Sequence, residues 1–358
     1  MKRSAILTAL TAAAIPLSVA QADALLFPYV VTSSTVATII SVVNKDPDGE
    51  LFLNYFTKNS LANTASCTNQ LRHDVDSAQN DLVSFEANGS FVGGVASALG
   101  GPLFNDPAGD ADYGGDNFTM GPISGATRAF LIVDDNDNNG EDLYGEAILL
   151  ETQGGAAWGY RAYNAASDFG QTGVNFPEFD AVANGGGIAS PTNDNLGEVL
   201  DDQNNTDTAA VTLLPTDEWE TRFFVTPISA GDQRCTDCNA AIKLTRNVSE
   251  ASTGLFDRDS NPLSGSNTVE VICVSGVSLQ ELLPTSAQAT VAAQGGWGFI
   301  NVDPGTAGGT SAPAAVVLKL EFNSAQFISP DASNSFVGTV NTAVWLRNRD
   351  NTEGVSGL

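Results

Sequence analysis

Val36-Ala37-Thr38-Ile39-Ile40-Ser41-Val42-Val43, followed by Asn44-Lys45-Asp46-Pro47-Asp48-Gly49 and then Glu50-Leu51-Phe52-Leu53-Asn54-Tyr55-Phe56, is the stretch that decides the fold. Two short runs rich in β-branched and aromatic residues flank a Pro-Asp-Gly turn, and this pattern predicts a β-hairpin. The same alternation of apolar run and Gly, Pro, Asn or Asp cluster recurs over residues 81–85, 128–133, 147–151, 157–163, 209–214, 221–226, 240–245, 268–274, 296–302, 314–322 and 339–346. Only 195–202 and 278–283, the latter ended by Pro284, read as short helices. The expectation is an all-β chain, and its default arrangement is an antiparallel β-sandwich.

At 358 residues the chain is large for one sandwich, so one elaborated sandwich or two packed lobes both fit. Gly154-Gly155-Ala156-Ala157-Trp158-Gly159-Tyr160 echoes Gly295-Gly296-Trp297-Gly298-Phe299, and Thr127-Arg128-Ala129-Phe130 echoes Thr221-Arg222-Phe223-Phe224. The echoes share no fixed period, which argues against a solenoid or propeller. The Asn/Asp/Gly stretch 184–207 is the expected division between lobes. Long Gly/Asn/Asp loops are expected at 102–117, 169–195 and 303–312.

Residues 1–24 read as a signal peptide: Lys2 and Arg3 precede an apolar, Ala-rich run, and Ala22-Asp23-Ala24 supplies small residues for cleavage after Ala24. No Cys follows that site to take a lipid, and no later run is long and apolar enough for a spanning helix. The mature region, 25–358, is therefore expected outside the cytoplasm: secreted, at the cell surface or in the periplasm. Cys67, Cys235, Cys238 and Cys273 then read as two disulfides of undetermined pairing rather than free thiols. Cys235-x-x-Cys238 lacks the following His of a haem site and a thioredoxin-like context.

Forty-two acids against 15 bases give a net charge of −27, while 42% of residues are hydrophobic. The chain is thus expected to fold, and a phosphate backbone is a poor partner for it, which excludes nucleic acid. The most specific local motif is Asp135-Asn136-Asp137-Asn138-Asn139-Gly140-Glu141-Asp142-Leu143-Tyr144-Gly145-Glu146, which satisfies D-x-[DN]-x-[DN]-G-x5-E. Alternate oxygens of Asp135, Asp137 and Asn139, the carbonyl of Glu141 and the carboxylate of Glu146 would converge on calcium, with Gly140 permitting the turn. Strand-like flanks place this loop at a strand junction rather than in an EF-hand, and an ion-free Asp/Asn turn is the rival reading. Asp257-x-Asp259-x-Asn261, Asp110-x-Asp112 with Asp116, and Asn44-x-Asp46-x-Asp48-Gly49 read first as Asx turns.

Catalytic signals are thin. His73 is the single histidine, no G-x-S-x-G elbow or phosphate-binding Gly loop is present, and a close carboxylate pair carries little weight among so many acids. Trp158, Tyr160, Tyr163, Trp219, Trp297, Phe299 and Trp345 are candidates for a carbohydrate platform, with core filling as their first role.

Leu25-Leu26-Phe27-Pro28-Tyr29-Val30, Asn80-Asp81-Leu82-Val83-Ser84-Phe85, Leu143-Tyr144-Gly145-Glu146-Ala147, Ala156 to Asn164, Glu218-Trp219-Glu220-Thr221-Arg222-Phe223-Phe224-Val225-Thr226, Phe256-Asp257 to Pro262 and Val271-Ile272-Cys273 are blocks over which the chain resembles an uncharacterised family of secreted bacterial proteins. The resemblance spans most of the mature region. It implies export and a β-rich fold, assigns no activity and carries no catalytic residue. It also gives Glu146 a structural reading beside its ligand reading.

The expected function is that of an exported, non-enzymatic cell-surface or envelope structural or binding protein, stabilised by disulfides and calcium. Self-assembly is expected through strand edges or donation of the Leu25 to Val31 segment to a neighbour. A secreted carbohydrate-binding or carbohydrate-active protein is the alternative. An outer-membrane β-barrel ranks last, because the chain ends in Gly357-Leu358, has only six Tyr and carries four Cys.

Overall fold

The computed structural model describes residues 24–33, 35–45, 50–87, 127–134, 143–151, 156–164, 199–201, 208–228, 236–245, 254–311, 314–323, 327–328, 337–338 and 341–345. The first strands are β1 (Ala24–Thr32), β2 (Val36–Asn44), β3 (Glu50–Lys58), β4 (Cys67–Asp76), β5 (Leu82–Glu86), β6 (Thr127–Asp134), β7 (Leu143–Glu151), β8 (Ala156–Arg161) and β9 (Tyr163–Asn164). They build sheet I, in the order β4-β3-β6-β1-β9, and sheet II, in the order β5-β2-β7-β8.

The second group is β10 (Val199–Asp201), β11 (Thr208–Leu213), β12 (Trp219–Ile228), β13 (Cys238–Leu244), β14 (Leu255–Asp257), β15 (Pro262–Leu263), β16 (Thr268–Ile272) and β17 (Ser275–Ser278). Helices α1 (Leu279–Leu282) and α2 (Thr285–Gln294) follow, then β18 (Gly296–Pro304), β19 (Thr310–Ser311), β20 (Ala314–Asn323), β21 (Phe327–Ile328), β22 (Val337–Gly338) and β23 (Asn341–Trp345). Sheet III runs β10-β20-β12-β17 with β23 also on β20, and sheet IV runs β15-β14-β18-β13-β16 with β11 on β18 and β19 on β13. Among the described residues β21 and β22 form a two-stranded sheet. Every described pairing is antiparallel except that of β13 with β19. The all-β antiparallel sandwich is therefore the observed fold.

One core cluster fills the space around sheets I and II, with Phe27, Ile40, Leu53, Tyr55, Leu131 and Val133 fully buried. A second joins sheets III and IV through Val211, Phe223, Val225, Ile242, Ile300 and Val317. Sheet III serves both. Phe224, Val316, Leu318 and Leu320 belong to the first cluster, whereas Phe223, Val225, Ala315 and Val317 belong to the second. Alternation along β12 and β20 therefore buries both faces of the sheet. Sheets I and II meet closely at Gly145, where an added Cβ would lie 2.6 Å from the Phe27 ring and 2.8 Å from Leu25.

The predicted hairpin between β2 and β3 does not form. β2 pairs with β5 and β7, and β3 pairs with β4 and β6. Each run is a strand, but nine ladder pairs to β7 place β2 in sheet II and leave β3 in sheet I. A Pro-Asp-Gly turn can reverse a chain within one sheet or carry it to another, and apolar faces on both strands reward the second arrangement. The helix expected over 195–202 is a strand over its described part, 199–201, since Val199↔Val316 and Leu200↔Ala315 pair β10 with β20. The ladder and burial outweigh weak propensity there. The segment from Leu25 to Val31 is a strand of its own sheet, held between β6 and β9. Pro284, expected to end a helix, also starts one: it is the N-cap residue of α2. A proline at a helix start gives up only an N–H that would lack an intrahelical partner.

Cysteine pairing, open from sequence, is resolved for Cys67 and Cys273, whose Cα atoms are 5.8 Å apart and which lie 206 residues apart in sequence. Cys238 is disulfide-bonded as well, and Cys235 lies outside the described residues. Beside this bond Lys58, 4% exposed, donates from Nζ to the carbonyls of Asn63, Ala65 and Ile272 and to Ser275 Oγ at 3.2, 2.9, 2.7 and 3.0 Å. Disulfide and lysine thus staple the β3–β4 end of the first strand group to the second.

Candidate functional site

β1 is irregular at Pro28-Tyr29: its register with β6 shifts between Phe27 and Val30. Proline lacks the ladder donor, so a bulge accommodates it. The freed backbone groups find side chains. Thr226 Oγ1 donates to the Pro28 carbonyl at 2.7 Å, and the Tyr160 hydroxyl donates to the Tyr29 carbonyl at 2.6 Å while accepting from its N–H at 3.3 Å. The bulge therefore carries Tyr29 to the junction of sheets I, II and III.

There it meets two strands. β12 presents Glu220, Arg222 and Phe224 on one face, and β8 presents Trp158 and Tyr160 with ring centroids 6.0 Å apart. Phe224 stacks on Tyr29 at 3.8 Å, and Trp158 stacks on Phe224 at 5.3 Å with 3° between planes. Burial raises the Tyr29 phenol's pKa, with Arg128 and Arg222 pulling the other way, and burial does the same to Tyr160.

A cavity of about 270 Å³ opens beside this cluster, between Val31, Leu149 and Trp158 on one side and Leu320, Phe322 and Arg222 on the other. Arg222 is ion-paired with Glu220, and both side chains are about two-fifths exposed at 42% and 39%. The Arg222 guanidinium also sits 5.8 Å from the Phe322 ring centroid. An apolar aromatic wall facing a carboxylate and a guanidinium suits a ligand with one apolar face and several hydroxyls. Among the described residues the lining includes no serine, cysteine or histidine.

Asp135, Asp137, Asn139 and Glu141 lie outside the described residues. Glu146 is an exposed residue of β7, opposite Ser41 and Arg161, and it accepts a hydrogen bond from the Tyr144 hydroxyl. Among the described residues no group of three or more His, Cys, Asp or Glu is placed to hold a metal. Asp257 is an Asx turn: Oδ1 accepts the N–H groups of Asp259 and Asn261 at 2.9 and 2.8 Å, and Oδ2 accepts from Asn261 Nδ2 at 2.9 Å. Those bonds hold its carboxyl below the usual range, with Ser260 in the left-handed region at φ 66°. The other two cation candidates fall wholly or partly outside the described residues. His73 lies in β4 opposite Leu53.

Of the aromatic candidates, Tyr160 and Phe299 are buried and Trp158 is half-buried at the cavity. Trp297 is half-buried and stacks on Phe256 at 4.3 Å. Reading the sequence missed Glu220 and Arg222 as site residues. Their spacing, charged-x-charged-x-Phe, was the available signal.

Fold and cavity together define a disulfide-bonded, all-β sandwich protein with an aromatic pocket where three sheets meet. Comparison of the chain with protein-family models, curated proteins and solved structures finds no match.

Proposed function

We propose that this is an exported envelope protein that binds carbohydrate without catalysis, using the pocket between Trp158 and the Glu220–Arg222 pair. The observation that supports this reading is the half-buried Trp158, held in a stack with Phe224 and facing that ion pair across a cavity of about 270 Å³. An indole face packs against the C–H face of a sugar ring, while a carboxylate and a guanidinium together accept and donate hydrogen bonds to its hydroxyls. With a net charge of −27 the protein repels polyanions, so neutral sugars fit best.

A panel of immobilised neutral glycans tests the reading. Wild-type protein is expected to bind members of the panel and Trp158→Ala to lose that binding while keeping the β-sheet circular dichroism spectrum of the folded protein. Absence of binding by the wild type, or equal binding by the variant, overturns it.

Calcium held by Asp135, Asp137, Asn139, Glu141 and Glu146 belongs to the same proposal. Calorimetry on metal-stripped protein is expected to show calcium binding that Asp135→Asn weakens. Export predicts that the protein from intact cells begins at Leu25 and lies outside the cytoplasm. Association of copies through strand edges is checked by electron microscopy with and without calcium, where monomers alone in both would count against it.

A further inference from the structure

Sheet IV is covered on both faces along β13. Ala240, Ile242 and Leu244 belong to the core shared with sheet III, so alternation turns Asn239, Ala241 and Lys243 to the other face. That face is shielded from water as well. Asn239 is fully buried, Ala241 is nearly so, and Asn301 of β18, directly opposite Lys243, is fully buried. Asp303 lies opposite Ala241 and is therefore the diagonal neighbour of Lys243 on this face. Its Oδ2 accepts from the Lys243 ammonium, and only 16% of the lysine side chain and 14% of the aspartate side chain reach solvent.

Two polar groups here lack the partners that burial demands. Among the described residues Asp303 Oδ1 is buried without a hydrogen-bond partner, and neither amide atom of the Asn239 side chain has one. Orphaned buried polar atoms are rare in folded proteins and call for a cause. An ion pair held away from water also leaves both charges poorly solvated. A primary amine in contact with a carboxyl group can shed both charges at once by condensing with it to an amide.

Independently of the carbohydrate reading, we propose that Lys243 and Asp303 condense after folding into an isopeptide bond that cross-links β13 to β18. One ammonium proton passes to the carboxylate along the existing contact, which leaves a neutral amine and a neutral acid. The Nζ lone pair then attacks Asp303 Cγ: the Nζ–Cγ bond forms and the bond from Cγ to one carboxyl oxygen breaks. That oxygen leaves as water with two of the three ammonium protons, the third stays on the amide nitrogen, and no oxidant or further reactant is consumed. Holding the two groups in contact replaces a collision of dilute partners by an effective molarity of about 10⁵–10⁸ M, and removing two charges from a poorly hydrated site favours the amide further. Asn239, diagonal to Asp303 on the same face, offers its unpartnered Nδ2 to the oxyanion of the tetrahedral intermediate and afterwards to the amide carbonyl.

Mass spectrometry of the folded protein after reduction and denaturation tests this. The wild type is expected to weigh one water less than its sequence, and peptide mapping to return a branched peptide joining Lys243 to Asp303. Lys243→Arg keeps an ion pair with Asp303 but presents no primary amine, so it is expected to show the full mass together with the β-sheet circular dichroism spectrum of the wild type. Asp303→Ala is expected to show the full mass too. A wild type at full mass that trypsin cleaves after Lys243 overturns the proposal, and so does a water loss that persists in Lys243→Arg. Neither result bears on the pocket at Trp158.

Discussion

The Tyr160 hydroxyl satisfies both backbone groups of Tyr29, donating to its carbonyl at 2.6 Å and accepting from its N–H at 3.3 Å, across 131 residues of sequence. One phenol oxygen thereby replaces the ladder partners that the bulge removes. Tyr160→Phe leaves a buried carbonyl and a buried amide without that partner. The expected loss is about 1–3 kcal/mol of unfolding free energy, read by urea denaturation. Because the same contact aims Tyr29 at Phe224, the variant should also bind ligand less tightly.

Lys58 governs a pH response. Burial, aided by Arg128, lowers its pKa from 10.5 to about 7. Between those two values the unfolded chain binds more protons than the folded one, so stability rises with pH from about 7 toward 10.5. Below pH 7 the lysine is charged in both states and contributes no slope. Above pH 10 the buried phenols of Tyr29, Tyr55 and Tyr160 act oppositely: their folded pKa values are raised, so stability falls as the unfolded tyrosines ionise. Denaturation midpoints from pH 6 to 10 should climb for the wild type and stay flatter for Lys58→Met.

Lys319 and Glu321 form a buried pair at 2.9 Å, each side chain 5% exposed. Lys319 also donates to the Thr212 carbonyl at 3.0 Å, and Glu321 accepts from the Leu214 N–H at 3.2 Å, so the pair ties β20 to β11 and its following residue. Removing one charge strands the other away from water. Lys319→Met or Glu321→Gln should each cost about 3–5 kcal/mol. The double variant Lys319→Met/Glu321→Leu should cost less than the two singles combined, as a denaturation cycle would show.

The disulfide between Cys67 and Cys273 closes a loop of 206 residues. Replacing both by Ala should lower stability by about 2–5 kcal/mol while preserving the β-sheet circular dichroism spectrum. Mass spectrometry after alkylation without reductant should find neither cysteine labelled in the wild type.

The architecture was legible wherever a strand advertises itself by composition: Val36 to Val43, Arg128 to Val133 and Ala314 to Phe322 all lie in strands. Partnership was not. Residues 45–49 look like a hairpin turn, yet the flanking strands enter different sheets, because register depends on surfaces far away in sequence. α2 escaped notice because only Ala287 and Val291 face the core, too few for a helical stripe. The pocket was half visible. Trp158 stood out as an aromatic, but its meeting with Tyr29 and Arg222 follows from a bulge, a crossing of three sheets and no local spacing. Lys58 carried no sequence signal at all, since nothing near it in the chain foretells that its ammonium group contacts Ile272 and Ser275.

Phe224, Val316, Leu318 and Leu320 complete the interior built mainly by strands that precede residue 165. A nascent chain that has emerged only through β9 therefore displays an unfinished apolar surface, and it stays in that condition until β20 has been synthesised. Ribosome-stalled intermediates of intermediate length should consequently be sticky and protease-sensitive, and the whole polypeptide should depend on holding chaperones almost until translation ends.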